Sequence, residues 1–339
     1  MKRLGIIGDG AWGTAVAITA RRAGRDVVLW TRCPDMAERM CRTRINETYL
    51  PGIPIDPEIT ITTEKEAVLD VDAAFLVVPS QYVRSVCTQF APLWPSCLPA
   101  VLCAKGIEQE SLLLMSEVVT AVLPPTAPVA VLSGPTFAVE VAKGLPTAVT
   151  LACADSTLGE RLIRALGTSA FRPYYSNDVV GAEIGGAVKN VLAIACGIVE
   201  GLELGDNARA ALLTRGLAEI LRLAQAKGGR IDTLMGLSGL GDLLLTASSR
   251  QSRNYSLGFE LGRGQTLEKI LSERKAVTEG VATAVSVTAL AESLSLEMPI
   301  CAAVNSVLHQ GKGLSESIRS LLARPFKAES LSSLSSRGL

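Results

Sequence analysis

The sequence is poor in aromatic residues, contains a single histidine and has no excess of charge of either sign. Aromatic side chains make up 4% of the 339 residues, and 33 Lys and Arg residues balance 33 Asp and Glu residues. Proteins that bind nucleic acid or a membrane surface need a basic excess to neutralise phosphates, so this balance argues against both partners. A local basic pocket for one small anion remains allowed. Because 48% of the residues are apolar, the chain is also too hydrophobic for disorder, and it has room for two domains.

Cysteine pairs and long apolar runs are missing as well. The eight cysteines form no Cys-x-x-Cys pair and most lie in apolar stretches, which favours buried, reduced thiols over disulfides or a metal site. The apolar run at residues 4–7 breaks at a glycine turn, too early for a signal peptide. The longest uncharged apolar segment, near residues 191–199, is far shorter than the roughly 18 residues of a membrane span. We therefore expect a soluble, cytoplasmic protein without a metal.

The first half of the chain alternates short apolar runs with helix-like segments. Strands are predicted at residues 4–7, 26–30, 73–78, 100–103, 129–132, 147–153 and 171–175. After about residue 177 the strand pattern disappears, and helices are predicted at residues 179–199, 208–227, 267–273, 282–293 and 298–308. Fully apolar strands separated by helices are typical of a parallel, doubly wound α/β sheet. We expect a Rossmann-like domain over residues 1–182, an all-α domain over residues 183–329, and a flexible Ser-rich tail over residues 330–339.

A glycine-rich turn follows the first predicted strand. It reads Gly8-Asp9-Gly10-Ala11-Trp12-Gly13, the G-x-G-x-x-G pattern in which glycines permit the turn and let a pyrophosphate approach the backbone. The pattern alone is weak, because glycine turns are common. Here it lies between the first strand and the first helix, whose free N–H groups would face the anion, so the context favours dinucleotide binding.

The end of the second predicted strand bears on the choice of cofactor. NAD sites usually place an acid there for the ribose 2′-OH, but this chain has Arg32 and no acid before Asp35. Because an Arg can pair with a 2′-phosphate, we favour NADP over NAD. The alternative is that Arg32 stacks on the adenine and that either cofactor is accepted.

One lysine lies inside an apolar helix of small residues. Lys189 is the only Lys or Arg between Arg172 and Arg209. Burial lowers the pKa of a lysine and can bring it into the range of a general base. The alternative is a lysine whose ammonium reaches solvent at the helix surface. The single histidine, His309, has no site-like surroundings and is expected at a surface or a helix end, which strengthens Lys189 as the proton carrier.

Polar residues follow two further strands and fill a later loop. Lys105 and the segment Ser133-Gly134-Pro135-Thr136 each come directly after a predicted strand, where doubly wound sheets bind ligands. A glycine-rich loop precedes Asp242, with Thr246 one turn further on, and Ser252-Arg253-Asn254 follow. Arg with Ser and Asn suits a phosphate, although an ordinary polar loop is the alternative.

Taken together, these segments resemble the bacterial type of NAD(P)-dependent glycerol-3-phosphate dehydrogenase. The matching segments run in the family's order over nearly the whole chain: residues 7–14, 104–106, 133–138, 178–181, 183–190, 205–209, 239–242, 251–254 and 277–280. The resemblance implies reversible reduction of dihydroxyacetone phosphate to sn-glycerol 3-phosphate, which supplies phospholipid synthesis. A homodimer is also expected from the family.

The resemblance also implies roles for individual residues. Lys189 would be the proton acceptor for the C2 hydroxyl, and Lys105 would bind the substrate's oxygens. Asn190, Asp242 and Thr246 would orient Lys189 and the substrate. The phosphate and the pocket around it would be contacted by Ser252, Arg253, Asn254, Gly134 and Thr136. The cofactor would be contacted by Gly8, Gly10, Ala11, Trp12, Gly13, Arg32, Lys105, Ala138, Arg253, Val277 and Glu279.

The sequence departs from the family's pattern at two places. Tyr255 stands where relatives often carry another Arg, and residues 281–284 lack the aromatic or basic residue that relatives often have after Gly280. Two other functions stay open on the residues alone. One is a dehydrogenase of another hydroxy acid or phosphosugar, and the other is a non-catalytic dinucleotide sensor.

Overall fold

The structure, a computed structural model, describes residues 1–274 and 276–326. The tail expected at residues 330–339 lies outside the described residues. The strands are β1 Arg3–Ile7, β2 Asp26–Trp30, β3 Ile45–Asn46, β4 Leu50–Pro54, β5 Thr60–Thr62, β6 Ala73–Leu76, β7 Ala100–Leu102, β8 Val129–Ser133, β9 Thr147–Cys153 and β10 Phe171–Ser176. The helices of the first half are α1 Ala11–Arg22, α2 Pro34–Thr43, α3 Lys65–Leu69, α4 Val83–Phe90, α5 Met115–Val122, α6 Ala138–Lys143 and α7 Ser156–Leu166. The helices of the second half are α8 Val179–Gly201, α9 Asp206–Ala226, α10 Ile231–Leu234, α11 Asp242–Thr246, α12 Arg253–Gly262, α13 Leu267–Ser272, α14 Glu279–Ser293, α15 Pro299–His309 and α16 Leu314–Leu322.

Eight strands form one twisted sheet with helices on both faces. Its order is β10-β9-β8-β7-β6-β1-β2-β5, and all neighbours are parallel except β8 and β9. The predicted α/β fold with an all-α second part is therefore confirmed. The expectation of a parallel sheet was wrong for β9 and β10, which are parallel to each other but antiparallel to the other six strands. Because β9 starts at the edge where β8 ends, the chain between them does not have to cross the sheet again, as a parallel connection would require.

The apolar pattern locates most strands within one or two residues. Strands β2 and β9 have the predicted bounds, because both are buried and hydrophobic almost throughout. The two-stranded hairpin of β3 and β4, and the short edge strand β5, were not predicted. These strands are short and partly exposed, so they lack the apolar run by which the others are recognised.

Helix α8 is the central element of the second half. It is 23 residues long and apolar enough to cross a membrane by composition, with mean hydropathy 1.5, but that stretch is completely buried inside the protein. It is therefore a core helix, and no membrane span is evident within residues 1–274 and 276–326. The Asp178 side chain caps its first turn by accepting from the Gly181 N–H at 2.8 Å. The boundary expected between residues 182 and 183 falls within this helix.

Helices α8 and α12 pack with their backbones in contact. An added Cβ would lie 2.0 Å from the Ile194 carbonyl oxygen at Gly258, and 2.1 Å from the Tyr255 carbonyl oxygen at Gly197. One turn further along both helices, Gly201 and Gly262 approach in the same way. No larger residue fits at these crossings, so the glycines fix how far α12 is displaced along α8.

The eight cysteines are all free thiols, but not all are buried. The expectation of buried thiols holds for five of them and was wrong for Cys33, Cys41 and Cys97, which are exposed. Cys33 precedes α2 just beyond β2, Cys41 lies on the solvent face of α2, and Cys97 lies in the loop before β7. Hydrophobic neighbours in sequence do not reveal which face of a helix or loop a side chain occupies.

Candidate active site

The carboxyl ends of five parallel strands meet at one edge of the sheet. Strands β2, β1, β6, β7 and β8 are neighbours in that order and run in the same direction. Their ends therefore bring Arg32, Gly8, Ser80, Lys105 and Gly134 to the same edge. This edge is where doubly wound sheets bind their ligands.

The glycine turn between β1 and α1 has the shape required to hold a dinucleotide. Gly8 has φ +120°, and a Cβ there would lie 2.5 Å from the Val77 carbonyl oxygen. A Cβ at Gly13 would lie 1.9 Å from the Gly8 carbonyl oxygen, so strand and helix need that glycine to pack. At Gly10, by contrast, a Cβ would meet nothing within 4 Å.

The start of α1 leaves backbone N–H groups free for an anion. No side chain caps the helix at Gly10, and its first turn contains no acidic residue. Free N–H groups and the positive end of the helix dipole favour a pyrophosphate. The open space beside Gly10 and this uncapped helix start fit a dinucleotide at Gly8, Gly10, Ala11, Trp12 and Gly13.

A buried asparagine that the sequence analysis missed braces this turn. Asn46, in the β3–β4 hairpin, donates to the Asp9 carbonyl oxygen at 2.7 Å and to the Thr14 Oγ1 at 2.8 Å. Its own oxygen accepts from the Tyr49 N–H at 3.1 Å. No sequence signal marks it, because Asn46 lies 37 residues beyond Asp9 in an unpredicted hairpin.

Arg32 lies just beyond the end of β2, one strand away from the glycine turn. It is exposed and forms no hydrogen bond or ion pair within residues 1–274 and 276–326. Its neighbour Thr31 is buried and donates to the Asp9 carboxylate at 2.9 Å. Among the residues that the structure describes, Arg32 is therefore an unpaired cation at the outer end of this sheet edge, without a contact to the lysine cluster described next.

Two lysines share one fully buried carboxylate. Lys189 donates to Asp242 Oδ1 at 2.5 Å, and Lys105 donates to Asp242 Oδ2 at 2.8 Å. Lys189 also donates to the Thr246 hydroxyl at 2.8 Å, and Lys105 to the Gly134 carbonyl oxygen at 2.9 Å. The lysines come from α8 and from the end of β7, whereas Asp242 and Thr246 are one turn apart on α11. The structure therefore brings these four predicted residues together, and the local charge is positive.

Burial changes the proton affinity of Lys189. Its side chain lies within the protein with 6% exposure, so the alternative of an ammonium reaching solvent was wrong. Burial lowers the pKa of Lys189 to about 8, with the nearby Lys105 charge acting in the same direction and Asp242 opposing it. A lysine with this pKa exchanges protons near neutral pH, as a general acid or base must.

A row of amides connects the lysine helix to α12 and α14. Asn254 donates to the Asn190 Oδ1 at 2.8 Å and accepts from the Gly280 N–H at 2.9 Å. Asn190 in turn faces the backbone oxygen of Lys105 at 3.5 Å. The Asn254 carboxamide is thereby fixed beside the lysines, and Ser252, two residues earlier, caps α12 through its hydroxyl.

Three more of the predicted residues lie at the starts of α12 and α14. Arg253 is exposed and donates to the Val277 carbonyl oxygen at 2.7 Å. Glu279 accepts from the Ser80 N–H at 3.1 Å, and burial raises the pKa of this carboxyl above its usual range. Ser80 was missed by the sequence analysis, although its place just after β6 and Pro79 was a usable signal.

Two further predicted positions lie where α6 packs on α1. Ala138 is the first residue of α6, and it packs with Trp12 against the same apolar cluster. Thr136, just before α6, donates to the Gly134 carbonyl oxygen at 3.2 Å. Both segments therefore border the glycine turn on one side and the Lys105 side chain on the other.

Other candidate chemistry is absent from the site. His309 is exposed at the end of α15, as predicted, and its Nε2 lies 2.9 Å from the Val281 carbonyl oxygen. Among residues 1–274 and 276–326, no group of three His, Cys, Asp or Glu side chains could hold a metal ion.

Comparisons of the sequence and the structure with known proteins lead to one enzyme family. Residues 3–159 match the N-terminal family model of NAD-dependent glycerol-3-phosphate dehydrogenase, and residues 178–319 match its C-terminal model. The glycerol-3-phosphate dehydrogenase [NAD(P)+] of Rhodospirillum rubrum is 61% identical over 327 residues, covering 96% of this chain and 93% of the relative. That of Maricaulis maris is 55% identical, covering 96% and 98%. A crystal structure of glycerol-3-phosphate dehydrogenase from Coxiella burnetii superposes with a TM-score of 0.91 at 40% identity, covering 95% of this chain and 99% of the other.

Proposed function

Since the chain belongs to the NAD-dependent glycerol-3-phosphate dehydrogenase family, we propose that it catalyses the reversible reduction of dihydroxyacetone phosphate to sn-glycerol 3-phosphate with NAD(P)H. It is an oxidoreductase whose relatives are named for both NAD and NADP. The observation that supports the chemistry is the buried Lys189, hydrogen-bonded to Asp242 and Thr246 beside a second lysine.

Lys189 is proposed to hold and move the proton. The bound nicotinamide supplies the hydride in reduction and accepts it in the reverse direction. The Lys189 ammonium donates a hydrogen bond to the C2 carbonyl oxygen, stabilises the negative charge that develops there, and transfers its proton to that oxygen. In the reverse direction the neutral amine takes the proton from the C2 hydroxyl.

The neighbours of Lys189 position it and the substrate. Asp242 and Thr246 accept hydrogen bonds from its Nζ, so they fix the direction in which its remaining N–H group points. Lys105, held by the other Asp242 oxygen and by Gly134, binds the substrate's oxygens. Asn190 connects the two lysines to Asn254.

The substrate's phosphate is assigned to the start of α12. Ser252, Arg253 and Asn254 provide a hydroxyl, a guanidinium and an amide at one helix N-terminus, and Thr136 and Gly134 line the pocket. A phosphate held there supplies binding energy away from the reacting carbon, which orients the carbonyl. Because Arg253 also contacts Val277 near Glu279, the same residues reach the cofactor.

NADP(H) is proposed as the preferred cofactor. The support is the free, exposed Arg32 after β2, in a position where NAD sites usually have an acid. The alternative, in which Arg32 stacks on the adenine and either cofactor is accepted, predicts equal values of kcat/KM for the two cofactors.

The test follows the oxidation of NADPH and NADH with dihydroxyacetone phosphate as substrate. We expect the wild type to turn over the substrate and Lys189→Ala to have no activity while still binding NADPH. No turnover with either cofactor overturns the proposed reaction, and near wild-type activity of Lys189→Ala overturns the assignment of the base. A faster reaction with a 2-oxo acid or with a different phosphosugar would favour the related dehydrogenase instead.

The proposed context is the supply of glycerol 3-phosphate for phospholipid synthesis in the cytoplasm. A homodimer formed through the helical domain is proposed from the family. Sedimentation of the purified protein tests the dimer.

A further inference from the structure

One carboxylate holds both flanks of the proposed phosphate-binding segment, residues 251–254. Glu200, in the last turn of α8, accepts at Oε1 from Arg250 Nη2 at 2.8 Å and Nε at 3.1 Å. Its other oxygen, Oε2, accepts from the Tyr255 hydroxyl. Arg250 directly precedes the segment and Tyr255 directly follows it, so the two oxygens of Glu200 join its two ends to α8.

The contacts on each flank restrict motion further. Tyr255 is 1% exposed, and its N–H donates to the Ser252 hydroxyl at 3.2 Å. The Arg250 guanidinium lies over the Phe259 ring, 4.0 Å from its centroid. A second cation, Arg209 from α9, lies 3.8 Å from Glu200 Oε2.

The same helix carries the proton donor. Lys189 and Glu200 are 11 residues apart on α8, close to three full turns, so they project from nearly the same side of the helix. The glycine crossings of α8 and α12 fix the spacing between the helices but leave the loop before α12 unconstrained. Glu200 supplies one such constraint through Arg250, and Gln251 within the segment donates to Glu140 of α6 at 3.3 Å.

We propose that Glu200 is a positioning residue for the substrate's phosphate, acting through Tyr255 and Arg250 on residues 251–254. The same contacts give a role to Tyr255, which stands where relatives often carry another Arg. Its side chain does not offer a guanidinium to the phosphate, but it fixes the residues that contact it. The inference rests on the proposed function, because it requires a phosphorylated substrate.

The experiment compares Glu200→Ala with Glu203→Ala. Glu203 is an exposed acid three residues further on, paired only with Arg263 at 3.0 Å among the described residues. For each protein, kcat/KM is measured with dihydroxyacetone phosphate and with dihydroxyacetone, which lacks the phosphate, at a saturating concentration of NADPH. The preference for the phosphorylated substrate is the ratio of the two values.

We expect Glu200→Ala to reduce this preference about tenfold or more, mainly through the KM for dihydroxyacetone phosphate, because a displaced binding group loses its orientation. The KM for NADPH and the activity with dihydroxyacetone should stay near those of the wild type. Glu200→Gln keeps the length of the side chain and one oxygen that can accept from Arg250, and its amide N–H can donate to the Tyr255 oxygen. It should therefore retain more of the preference than Glu200→Ala. Tyr255→Phe, which frees one flank, should fall between the wild type and Glu200→Ala.

Three results would count against the inference. A preference in Glu200→Ala within twofold of Glu203→Ala overturns the positioning role. Equal losses with both substrates show a general structural defect and overturn it as well. A wild-type protein with no preference for the phosphorylated substrate overturns the proposed function and the positioning role together.

Discussion

Replacing the buried Lys189 by Met is expected to make the protein more stable while removing its activity. Burial lowers the pKa of Lys189 from 10.5 to about 8. At about 1.4 kcal/mol per pKa unit, the charged lysine costs the folded state about 3 kcal/mol. Met has a similar length and no charge, and Asp242 keeps Lys105 as a partner at 2.8 Å. The gain at pH 7 is therefore up to about 3 kcal/mol.

The pH dependence of this gain identifies its source. Between pH 8 and 10.5 the folded wild type has lost the Lys189 proton while the unfolded chain still binds it, so wild-type stability rises with pH across that window. Lys189→Met lacks this rise. Urea denaturation at pH 7, 8, 9 and 10 should show two free energies of unfolding that converge as the pH increases.

The control is Lys143→Met on the exposed end of α6, which should leave the rise of wild-type stability unchanged. Loss of the proton donor should lower kcat of Lys189→Met about 100-fold to 10,000-fold. A difference in unfolding free energy that stays constant from pH 7 to pH 10 would refute the reasoning, because Lys189 would then titrate alike in both states.

Three further predictions concern the pH profile and the cofactor edge. With Lys189 as the acid, kcat/KM for reduction should fall about tenfold per pH unit as the pH increases above 8. For oxidation, kcat/KM should increase at the same rate as the pH approaches 8 from below. Initial rates between pH 7 and 10, where the phosphate is a dianion, check both trends, and the opposite slopes would reject the assignment. Arg32→Asp should lower kcat/KM for NADPH about tenfold through the loss of a charge-assisted contact, whereas kcat/KM for NADH should stay unchanged. An equal loss with both cofactors would argue for adenine stacking. Gly10→Ala has open space for its Cβ, so it should unfold near the wild-type temperature but no longer be stabilised by NADPH. The Cβ of Gly13→Ala would lie 1.9 Å from a carbonyl oxygen, so this variant should unfold at a lower temperature even without cofactor. Thermal unfolding with and without NADPH separates the two.

Sequence patterns predicted the parts of the fold that depend on local hydrophobicity. The central strands are short apolar runs, and their positions emerged within one or two residues. The direction of β9 and β10 could not be predicted, because an apolar run has the same pattern whichever way the strand is inserted. The hairpin at β3 and β4 was missed because fewer than half of its strand residues are buried.

The candidate site shows the same division. Lys189 stood out because a lone cation in an apolar helix is expensive to bury. Asn46 and Glu200 could not be found in this way, because they act on residues 37 and 55 positions away. Which residues they meet depends on how a hairpin lies over a turn and on how two helices are aligned. Those alignments follow from packing of the whole domain, which no short segment encodes.

Helix α8 begins at the sheet and ends deep among the helices of the second half. Asp178 anchors its first turn, and the buried Glu183 accepts from the Ser116 N–H of α5 at 2.8 Å. Since the helix runs without a break through residues 182 and 183, the two halves of the protein cannot swing about that point. A hinge between the two halves therefore cannot lie within this helix, and a chain divided there would leave neither piece with a complete core.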